Sequence, residues 1–353
     1  MGRLVATHVN EFFAVKDLCY RGLDSAVLRE RVGDRLARHL GASSYCFGAT
    51  DPATALPVHS VSVGLDPAVM QTFFGLVLST PSLDFGPWIT RPRRVARLED
   101  LVDDIERDPY MTDILRPCGL RHDVQVACVA GGWSWGHMCL RRGDKDRPFE
   151  AHEVRFLESL APHMSAGLRA ASSRSTVAAT AGKATGIVVL GPDGKVELAN
   201  GVAEQLFRQP VSGTRHCLLT AVHVVAARLE HALTNAGVDM VPTVIFVDEG
   251  SRETYRLRAE RVAGADGRDR GLVMIEPPSS LTASEQTQVL ARCGLTRREC
   301  EVAVAIVRGQ TTAEIASALV VSAHTVHDHV RNVFDKVGVS SRQQLAVRLI
   351  GGT

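Results

Sequence analysis

The chain has few aromatic residues, no paired cysteine motif, no long apolar run and almost no net charge. Aromatic side chains make up 5% of its 353 residues, and the formal net charge at pH 7 is +1. This near balance excludes a strongly basic coat, so any affinity for nucleic acid must belong to one local segment. No apolar run reaches the roughly 18 residues that a membrane span needs, and the N-terminal residues lack a signal-peptide core. We therefore expect a soluble, cytoplasmic protein that does not contact a membrane.

The eight cysteines include no CxxC pair. Cysteines scattered among apolar neighbours are typical of buried thiols in a reducing compartment, and their spacing does not indicate a zinc site. The sequence also contains no phosphate-binding glycine loop and no dinucleotide fingerprint. We therefore expect no enzymatic activity, and the sequence assigns neither a cofactor nor a metal.

The clearest pattern lies in the last sixty residues. Thr296 with Glu299, and Thr311 with Glu314, form two Thr-x-x-Glu capping boxes, in which each side chain satisfies a backbone amide at a helix start. After a connection of about three residues, Ser322 can cap a third helix, whose apolar residues recur at helical spacing and leave its polar residues outward. Two helices joined by a tight turn, the second with a polar outer face, predict a helix-turn-helix that places this second helix in the major groove of DNA.

This segment resembles the LuxR-type helix-turn-helix family. The resemblance runs through a long series of residues in the family's order: Leu295, Thr296, Arg298, Glu299, Glu301, Val302, Gly309, Glu314, Ile315, Ala316, Leu319, Ser322, Thr325, Val326, His329, Asn332, Lys336, Gly338, Val339, Ser341 and Arg342. A fourth helix follows, which we expect Ser340 and Gln343 to cap. The resemblance covers about a sixth of the chain.

The resemblance implies base-edge contacts at three residues of the third helix: His327, Asp328 and Arg331. It implies phosphate contacts near three others: Thr312, Thr325 and Arg342. One departure stands out, because His327 occupies the position of the family's lysine and a carboxylate follows it. A fixed positive charge has thus become a titratable one, while a carboxylate can accept a hydrogen bond from cytosine N4. We expect modest affinity and a distinctive DNA site.

The charge of the C-terminal segment favours binding by two copies. From Gly294 onward there are seven Lys and Arg residues against five Asp and Glu residues, a net charge of +2. Because backbone affinity comes from neutralised phosphates, one weakly basic copy should bind poorly. We expect a homodimer that reads two half-sites of double-stranded DNA, and the resemblance implies that the fourth helix, about residues 341–349, supplies the pairing surface.

The first 172 residues predict an α+β fold with a central antiparallel sheet. Their order of elements is a helix, two strands, helices, paired strands and a long closing helix. The order of Trp135-Gly136, Leu140 and Phe149-Glu150 ahead of that long helix resembles a GAF domain.

A second small module follows. It begins with a strand at 186–190, a turn at 191–194, a strand at 196–198 and a helix capped by Asn200, an order that resembles a PAS domain. The predicted organisation has five parts: a GAF-like sensor domain at 1–172, a linker at 173–184, a PAS-like domain at 185–278, a linker helix at 279–293 and the LuxR-type helix-turn-helix domain at 294–353.

The first module contains residues that can line a ligand pocket between its sheet and the covering helices. The ligand-binding candidates are Phe47, Phe73, Trp88, Tyr110, Cys118, His122, Trp133 and Trp135. Plain core packing is the alternative for most of them. A further alternative is haem, for which the ligating candidates are Cys118, His122, Cys128 and His137.

Two other motifs have competing interpretations. Residues 132–136 satisfy GxSxG, but a nucleophile elbow needs a strand, a sharp turn and then a helix, whereas the residues after Gly136 favour a strand. His324, His327 and His329 with Asp328 offer metal-ligand spacing. They lie on the predicted DNA-reading helix, where a metal would block the groove, so we favour DNA-facing or structural roles.

Together these patterns predict a one-component transcriptional regulator whose DNA binding responds to a signal in the GAF-like and PAS-like modules. Two alternatives remain open. The front modules can serve only as dimerisation or protein-interaction scaffolds without a small-molecule ligand, or they can form an enzyme fused to a DNA-binding module.

Overall fold

The computed structural model describes residues 2–52, 55–65, 69, 72–73, 76, 80–174, 184–207, 215–216, 218–234, 243–247, 253–276 and 283–350. Two antiparallel sheets with packed helices occupy the first part of the chain, and a helical segment ends it. This architecture confirms the predicted α+β class.

The α-helices follow one another in chain order as α1 (Gly2–Tyr20), α2 (Ser25–Leu40), α3 (Ala151–Arg174), α4 (Gly201–Phe207), α5 (Leu218–Thr234), α6 (Ala283–Arg292), α7 (Arg297–Val307), α8 (Thr312–Leu319), α9 (Ala323–Val337) and α10 (Arg342–Ile350). The strands are β1 (Ser44–Thr50), β2 (Pro57–Val63), β3 (Val95–Arg97), β4 (Leu120–Ala130), β5 (Trp133–Gly143), β6 (Gly186–Leu190), β7 (Val196–Ala199), β8 (Arg215–His216), β9 (Thr243–Val247), β10 (Thr254–Ala263) and β11 (Asp269–Glu276).

The first sheet has the strand order β3-β4-β5-β1-β2-β8. Its centre is the long β4–β5 hairpin, which turns at Gly131 and Gly132, both of which have positive φ angles. Side chains alternate across a strand, so Met138 and Leu140 of β5 face the core beneath α1, α2 and α3, whereas His137 and Cys139 face the other side of the sheet. The sheet therefore separates two apolar cores.

Helix α1 was not predicted from the sequence. Its β-branched and aromatic residues are weak helix formers. Packing holds it instead, because Val15, Leu18 and Cys19 are buried against the first core. The contact with α3 is close, since Gly167 of α3 lies directly against the backbone of Cys19.

The second sheet has the strand order β7-β6-β11-β10-β9. Its opening elements confirm the predicted strand, turn, strand and capped helix. Asn200 caps α4 as expected, accepting a hydrogen bond from the backbone N–H of Ala203 at 3.0 Å, and its side-chain amide donates to the carbonyl of Thr185 at 2.9 Å. The linker expected at 173–184 lies largely outside the described residues.

The modules share strands and cores. The short strand β8 comes from the second module's stretch of sequence, yet it pairs with β2 at the edge of the first sheet. Apolar residues of α6 to α10 continue the first core, and buried residues of the second sheet continue the other one. Contacts thus cross both expected boundaries. Among the described helices, none is long and apolar enough to cross a bilayer.

The close crossing of α1 and α3 can be tested at Gly167. A Cβ atom there would lie 2.8 Å from the carbonyl oxygen of Cys19. Gly167→Ala should therefore lower the free energy of unfolding by about 1–3 kcal/mol, although alanine is the better helix former by about 1 kcal/mol. Gly201→Ala is the control, because a Cβ at this first residue of α4 meets nothing within 4 Å. Urea denaturation in which both variants match the unchanged protein would contradict the close crossing.

Candidate DNA-binding surface

The predicted helix starts of the C-terminal segment are confirmed. At the start of α7, the backbone N–H of Thr296 donates to the Glu299 carboxylate at 2.7 Å, and the backbone N–H of Glu299 donates to the Thr296 hydroxyl at 3.3 Å. Thr311 and Glu314 repeat this reciprocal pair at the start of α8. Ser322 caps α9 by accepting from the backbone N–H of Thr325 at 3.0 Å.

The cap of the fourth helix differs by one residue from the prediction. Helix α10 begins at Arg342, so Ser341 is its N-cap and accepts from the backbone N–H of Gln344 at 3.1 Å. The Gln344 side chain in turn accepts from the backbone N–H of Ser340 at 2.8 Å. The expected pair, Ser340 with Gln343, is therefore wrong, because the helix starts one residue later than the spacing suggested.

Helix α9 presents one apolar and one polar face. Val326 and Val333 are fully buried on the inner side. On the outer side His327, Asp328 and Arg331, the three residues expected to read base edges, are exposed within about one helical turn of each other. The described part of the chain leaves this face uncovered, so it is free to approach a groove.

Asp328 also lies near a second histidine. The Nε2 atom of His324 is 3.7 Å from the Asp328 carboxylate, one turn earlier on the same helix, and both side chains are exposed. The carboxylate that follows His327 in sequence thus pairs with His324 in the structure when His324 is protonated.

The structure brings two of the expected phosphate-contacting residues together. Arg342 donates from Nη2 to the hydroxyl of Thr312 at 2.9 Å and from Nη1 to the carbonyl of Gln310 at 2.8 Å. Thr312 is the first residue of α8, where unpaired backbone N–H groups and the helix dipole favour an anion. This arrangement offers a guanidinium and a helix start to one phosphate.

The third expected phosphate contact lies apart from that pair. The hydroxyl of Thr325 is 2.8 Å from the hydroxyl of Ser322 in the first turn of α9. This is again a helix start, the one that opens α9.

An ion pair that the sequence did not indicate ties α7 to α9. The Lys336 ammonium lies 2.6 and 2.8 Å from the two carboxylate oxygens of Glu299, whose side chain is almost fully buried. Burial opposes ionisation of Glu299, but hydrogen bonds from Lys336 and Thr296 outweigh it and lower the pKa of the carboxyl. Both residues match the family pattern, yet nothing in their spacing indicated that they contact each other.

The turn between α8 and α9 contains a strained residue. Val320 has φ 55° and ψ 50°, the left-handed region that β-branched residues avoid, and its side chain is 90% exposed. Its backbone N–H continues the hydrogen bonding of α8, since it donates to the carbonyls of Ala316 and Ser317. The turn therefore keeps its geometry although it lacks the glycine that usually occupies such a position.

The eight ligand-binding candidates of the first module do not all lie in one place. Phe73, Tyr110 and Trp88 lie on the side of the sheet opposite α1 and α3, with 5.9 Å between the ring centroids of Phe73 and Tyr110. Phe47, Trp133 and Trp135 belong to the other core. Cys118 and His122 are partly exposed.

A cavity lies on the Phe73 side of the first sheet. Its lining includes Phe73, Phe85, Ser60, His137 and Cys139, and its volume is about 10 Å³, which is room for about one water molecule. Of the eight candidates, Phe73 lines it. The Phe85 ring stacks on His137 with 3.7 Å between centroids.

His137 is the chemically distinctive residue of this cavity. Burial lowers the pKa of its imidazole to about 3, so the ring is neutral near pH 7. Its Nε2 atom is buried and has no hydrogen-bond partner among the described residues. A neutral imidazole nitrogen without a partner can bind the polar atom of a small ligand that reaches it.

The other motifs have structural roles. Residues 132–136 enter strand β5 as expected, and Ser134 is buried with its hydroxyl 3.0 Å from that of Thr50. The haem-ligating candidates are not gathered, since Cys128 lies in the first core and His137 faces the opposite side of the sheet. Within the described ranges, no group of three or more acidic, His or Cys side chains has the geometry to hold a metal.

The capped helices, the tight turn and the uncovered polar face of α9 define the class of the protein, a helix-turn-helix DNA-binding regulator. Residues 294–349 match the family described as bacterial regulatory proteins, luxR family. Over 56 residues the chain is 46% identical to the spore germination protein GerE of Bacillus subtilis (strain 168), and the match covers 16% of this chain and 76% of that protein. The chain belongs to the luxR family of bacterial regulatory proteins.

A longer relative shares the same segment. The chain is 43% identical over 58 residues to the transcriptional regulatory protein UhpA of Escherichia coli (strain K12), covering 16% of this chain and 30% of UhpA. Among solved structures, the Escherichia coli DhaR(N)–DhaL complex aligns with 78% of this chain and 90% of its own at 10% identity, with a TM-score of 0.25. The bacteriophytochrome RpBphP3 of R. palustris aligns with 78% of this chain and 63% of its own, also at 10% identity, with a TM-score of 0.31.

The ion pair between Glu299 and Lys336 leads to a stability prediction. Lys336→Ala leaves a buried carboxylate without its cation, so the free energy of unfolding at pH 7 should fall by about 1–3 kcal/mol. Because the folded-state pKa of Glu299 is lowered, the pair stabilises the fold above the usual Glu pKa of about 4.3 and loses this contribution as the pH falls further. The difference between the two proteins should therefore shrink as the pH is lowered from 7 to below 4.

Lys145→Ala is the matched control, because Lys145 is an exposed lysine in the turn after β5. It should change the unfolding free energy by less than about 0.5 kcal/mol. Guanidinium denaturation curves that coincide for the Lys336 and Lys145 variants at pH 7 would show that the pair contributes nothing.

Proposed function

We propose that this protein is a one-component transcriptional regulator that binds double-stranded DNA as a homodimer and responds to a signal in its N-terminal region. The observation that carries the proposal is the uncovered polar face of α9, supported on a helix-turn-helix whose caps and inner face are all satisfied. His327, Asp328 and Arg331 would contact base edges. Thr312 with Arg342, and Thr325, would contact phosphates on either side.

The dimer is proposed on grounds of charge and symmetry. The net charge of +2 from Gly294 onward gives one copy few phosphates to neutralise. Two copies related by a two-fold axis would place two α9 helices in successive major grooves, about 34 Å apart. The exposed side of α10, which carries Gln343 and Gln344, is the proposed contact between the copies.

The sensor role is supported by the cavity beside His137. The cavity is lined mainly by apolar atoms of residues that include Phe73, Phe85, Cys46 and Cys139, and one of its lining residues is His137, whose Nε2 atom has no partner among the described side chains. A small, mostly apolar molecule with one hydrogen-bonding atom fits this chemistry. Such a ligand would have to move the wall, since the present cavity has room for about one water molecule.

The small size of the cavity favours a second function for the front modules. Without a ligand they would act as dimerisation or protein-interaction scaffolds for a constitutive DNA-binding factor. The expected domain limits, 1–172, 185–278 and 294–353, remain part of the proposal in either case. Because the target is genomic DNA, we place the protein in the cytoplasm, and we propose no catalytic role.

Selection on random duplex DNA tests the DNA-binding proposal. The full chain should enrich two half-sites whose centres are about 34 Å apart. Arg331→Ala should weaken binding to the selected sequence by about 1–3 kcal/mol and relax the preference at one base position in each half-site. Arg107→Ala is the control, because Arg107 is an arginine of the first module whose side chain is 88% exposed. Failure to enrich any sequence would overturn the proposal.

A thermal unfolding screen distinguishes a sensor from a scaffold. A ligand that binds only the folded protein adds about 2.7 kcal/mol of stability at a concentration of 100 times Kd. For ligands of the cavity, the shift in unfolding temperature should be lost or reduced in His137→Gln, which removes the imidazole. A scaffold shows no such His137-dependent shift with any compound of a library of small aromatic and heterocyclic molecules.

A further inference from the structure

The turn of the β4–β5 hairpin contacts the DNA-binding helices directly. The indole N–H of Trp133, the first residue of β5, donates to the carbonyl of Leu295 at 2.8 Å, and both residues are buried. Leu295 immediately precedes the capping box of α7. A hydrogen bond between parts of the chain 162 residues apart thus joins the first sheet to the helix-turn-helix.

Two further contacts hold the same junction. The backbone N–H of Arg297 donates to the carbonyl of Gly131 at 3.3 Å. The Arg297 guanidinium lies 5.5 Å from the centre of the Trp133 ring, a cation–π distance. The first turn of α7 therefore docks on the hairpin through its backbone and through a side chain, so its orientation relative to the sheet is fixed.

The hairpin also forms one wall of the cavity. His137 lies in the same strand, β5, four residues or about 13 Å from Trp133. Its ring stacks on that of Phe85, and both residues line the cavity. From Gly136 to Arg141, β5 pairs with β1 on one side and with β4 on the other, and its pairing with β4 continues past a register shift to Ser134 and Trp133. Displacement of the cavity wall at His137 would therefore shift Trp133 as well.

On the other side of the junction, the contacts continue to the reading helix. Leu295 and Thr296 lead into the capping box of Glu299, and the carboxylate of Glu299 holds the ammonium of Lys336 in the last turn of α9. Each step is a buried or partly buried hydrogen bond. The contacts between the cavity and α9 thus comprise strand β5, the start of α7 docked on the hairpin, and the ion pair of Glu299 with Lys336.

We propose that the turn of the β4–β5 hairpin couples the cavity of the first module to the orientation of α9, with Trp133 as the positioning residue. The inference deepens the proposed sensor function and rests on it. Coupling of this kind is reciprocal, so a change at the cavity alters the α7 and α9 helices and a change at those helices alters the cavity.

A double-mutant cycle measured by amide hydrogen exchange tests the proposal on the full chain without DNA or ligand. Phe85→Ala enlarges the cavity without altering any residue of the hairpin. It should change the exchange rate of amides in residues 295–307 and 323–337 by about threefold or more. In combination with Trp133→Phe, which keeps an aromatic ring but removes the indole N–H, this effect of Phe85→Ala on the C-terminal amides should disappear.

Trp135→Phe is the matched control. Its indole N–H donates to the carbonyl of Ala130 at 3.0 Å, within the same hairpin. It is an identical chemical change two residues away, and the effect of Phe85→Ala on residues 295–307 should persist in this background. A general loosening of the fold would affect both tryptophan variants alike, whereas coupling through Trp133 affects one of them.

Two results would overturn the inference. In one, Phe85→Ala changes exchange in β4 and β5 but leaves residues 295–307 as they were. In the other, its effect on residues 295–307 is the same with and without the Trp133 indole. If circular dichroism shows that Trp133→Phe does not fold, Arg297→Ala replaces it in the cycle; it removes the guanidinium 5.5 Å from the centre of the Trp133 ring and should reduce the effect of Phe85→Ala on residues 295–307. Because the measurement requires no nucleic acid, a failure of DNA binding would overturn the proposed function separately.

Discussion

The β4–β5 hairpin is the constraint on which the rest of the structure depends. One face of its strands covers the core beneath α1, α2 and α3, and the other face forms the wall of the cavity at His137. At its turn, Gly131 and Trp133 receive the first turn of α7. A fully buried strand pair cannot shift one face without shifting the other, since protein interiors are close-packed. The hairpin therefore joins the packing of the first module to the placement of α7.

The DNA-binding segment combines locally capped helix starts with a share of the first core. Three of its helix starts are capped by side chains within three residues of the cap, so the backbone of each first turn is satisfied locally. Buried residues that include Val302, Val326 and Val333 join its inner side to the first core. The ion pair of Glu299 with Lys336 fixes α9 from its far end. The exposed side chains of His327, Asp328 and Arg331 take no part in this packing.

Local chemistry explains which features could be predicted from the sequence. The capping boxes at Thr296 and Thr311, the cap at Asn200 and the turn at Gly191–Gly194 are encoded within four residues, and all were expected. Helix α1 was missed because its stability comes from packing against α3 and not from its own residues. The pairing of β8 with β2 and the bond from Trp133 to Leu295 join residues more than 150 positions apart. Periodicity and spacing in a sequence do not indicate contacts between residues so far apart. The sequence therefore did not show whether Trp133 and Trp135 line a pocket or pack in the core.

The first core is continuous from α1 to α10, and this limits how the C-terminal segment could be joined to another domain. Leu290, Ala291 and Leu295 are fully buried in the core that also contains Trp133 and Met164. A chimaera that joined residues 294–353 to another input module would uncover part of this apolar surface and would have to supply a substitute for the lost partner. In such a chimaera the bond from the Trp133 indole to the carbonyl of Leu295 would be lost as well, so the substitute would also have to satisfy that carbonyl.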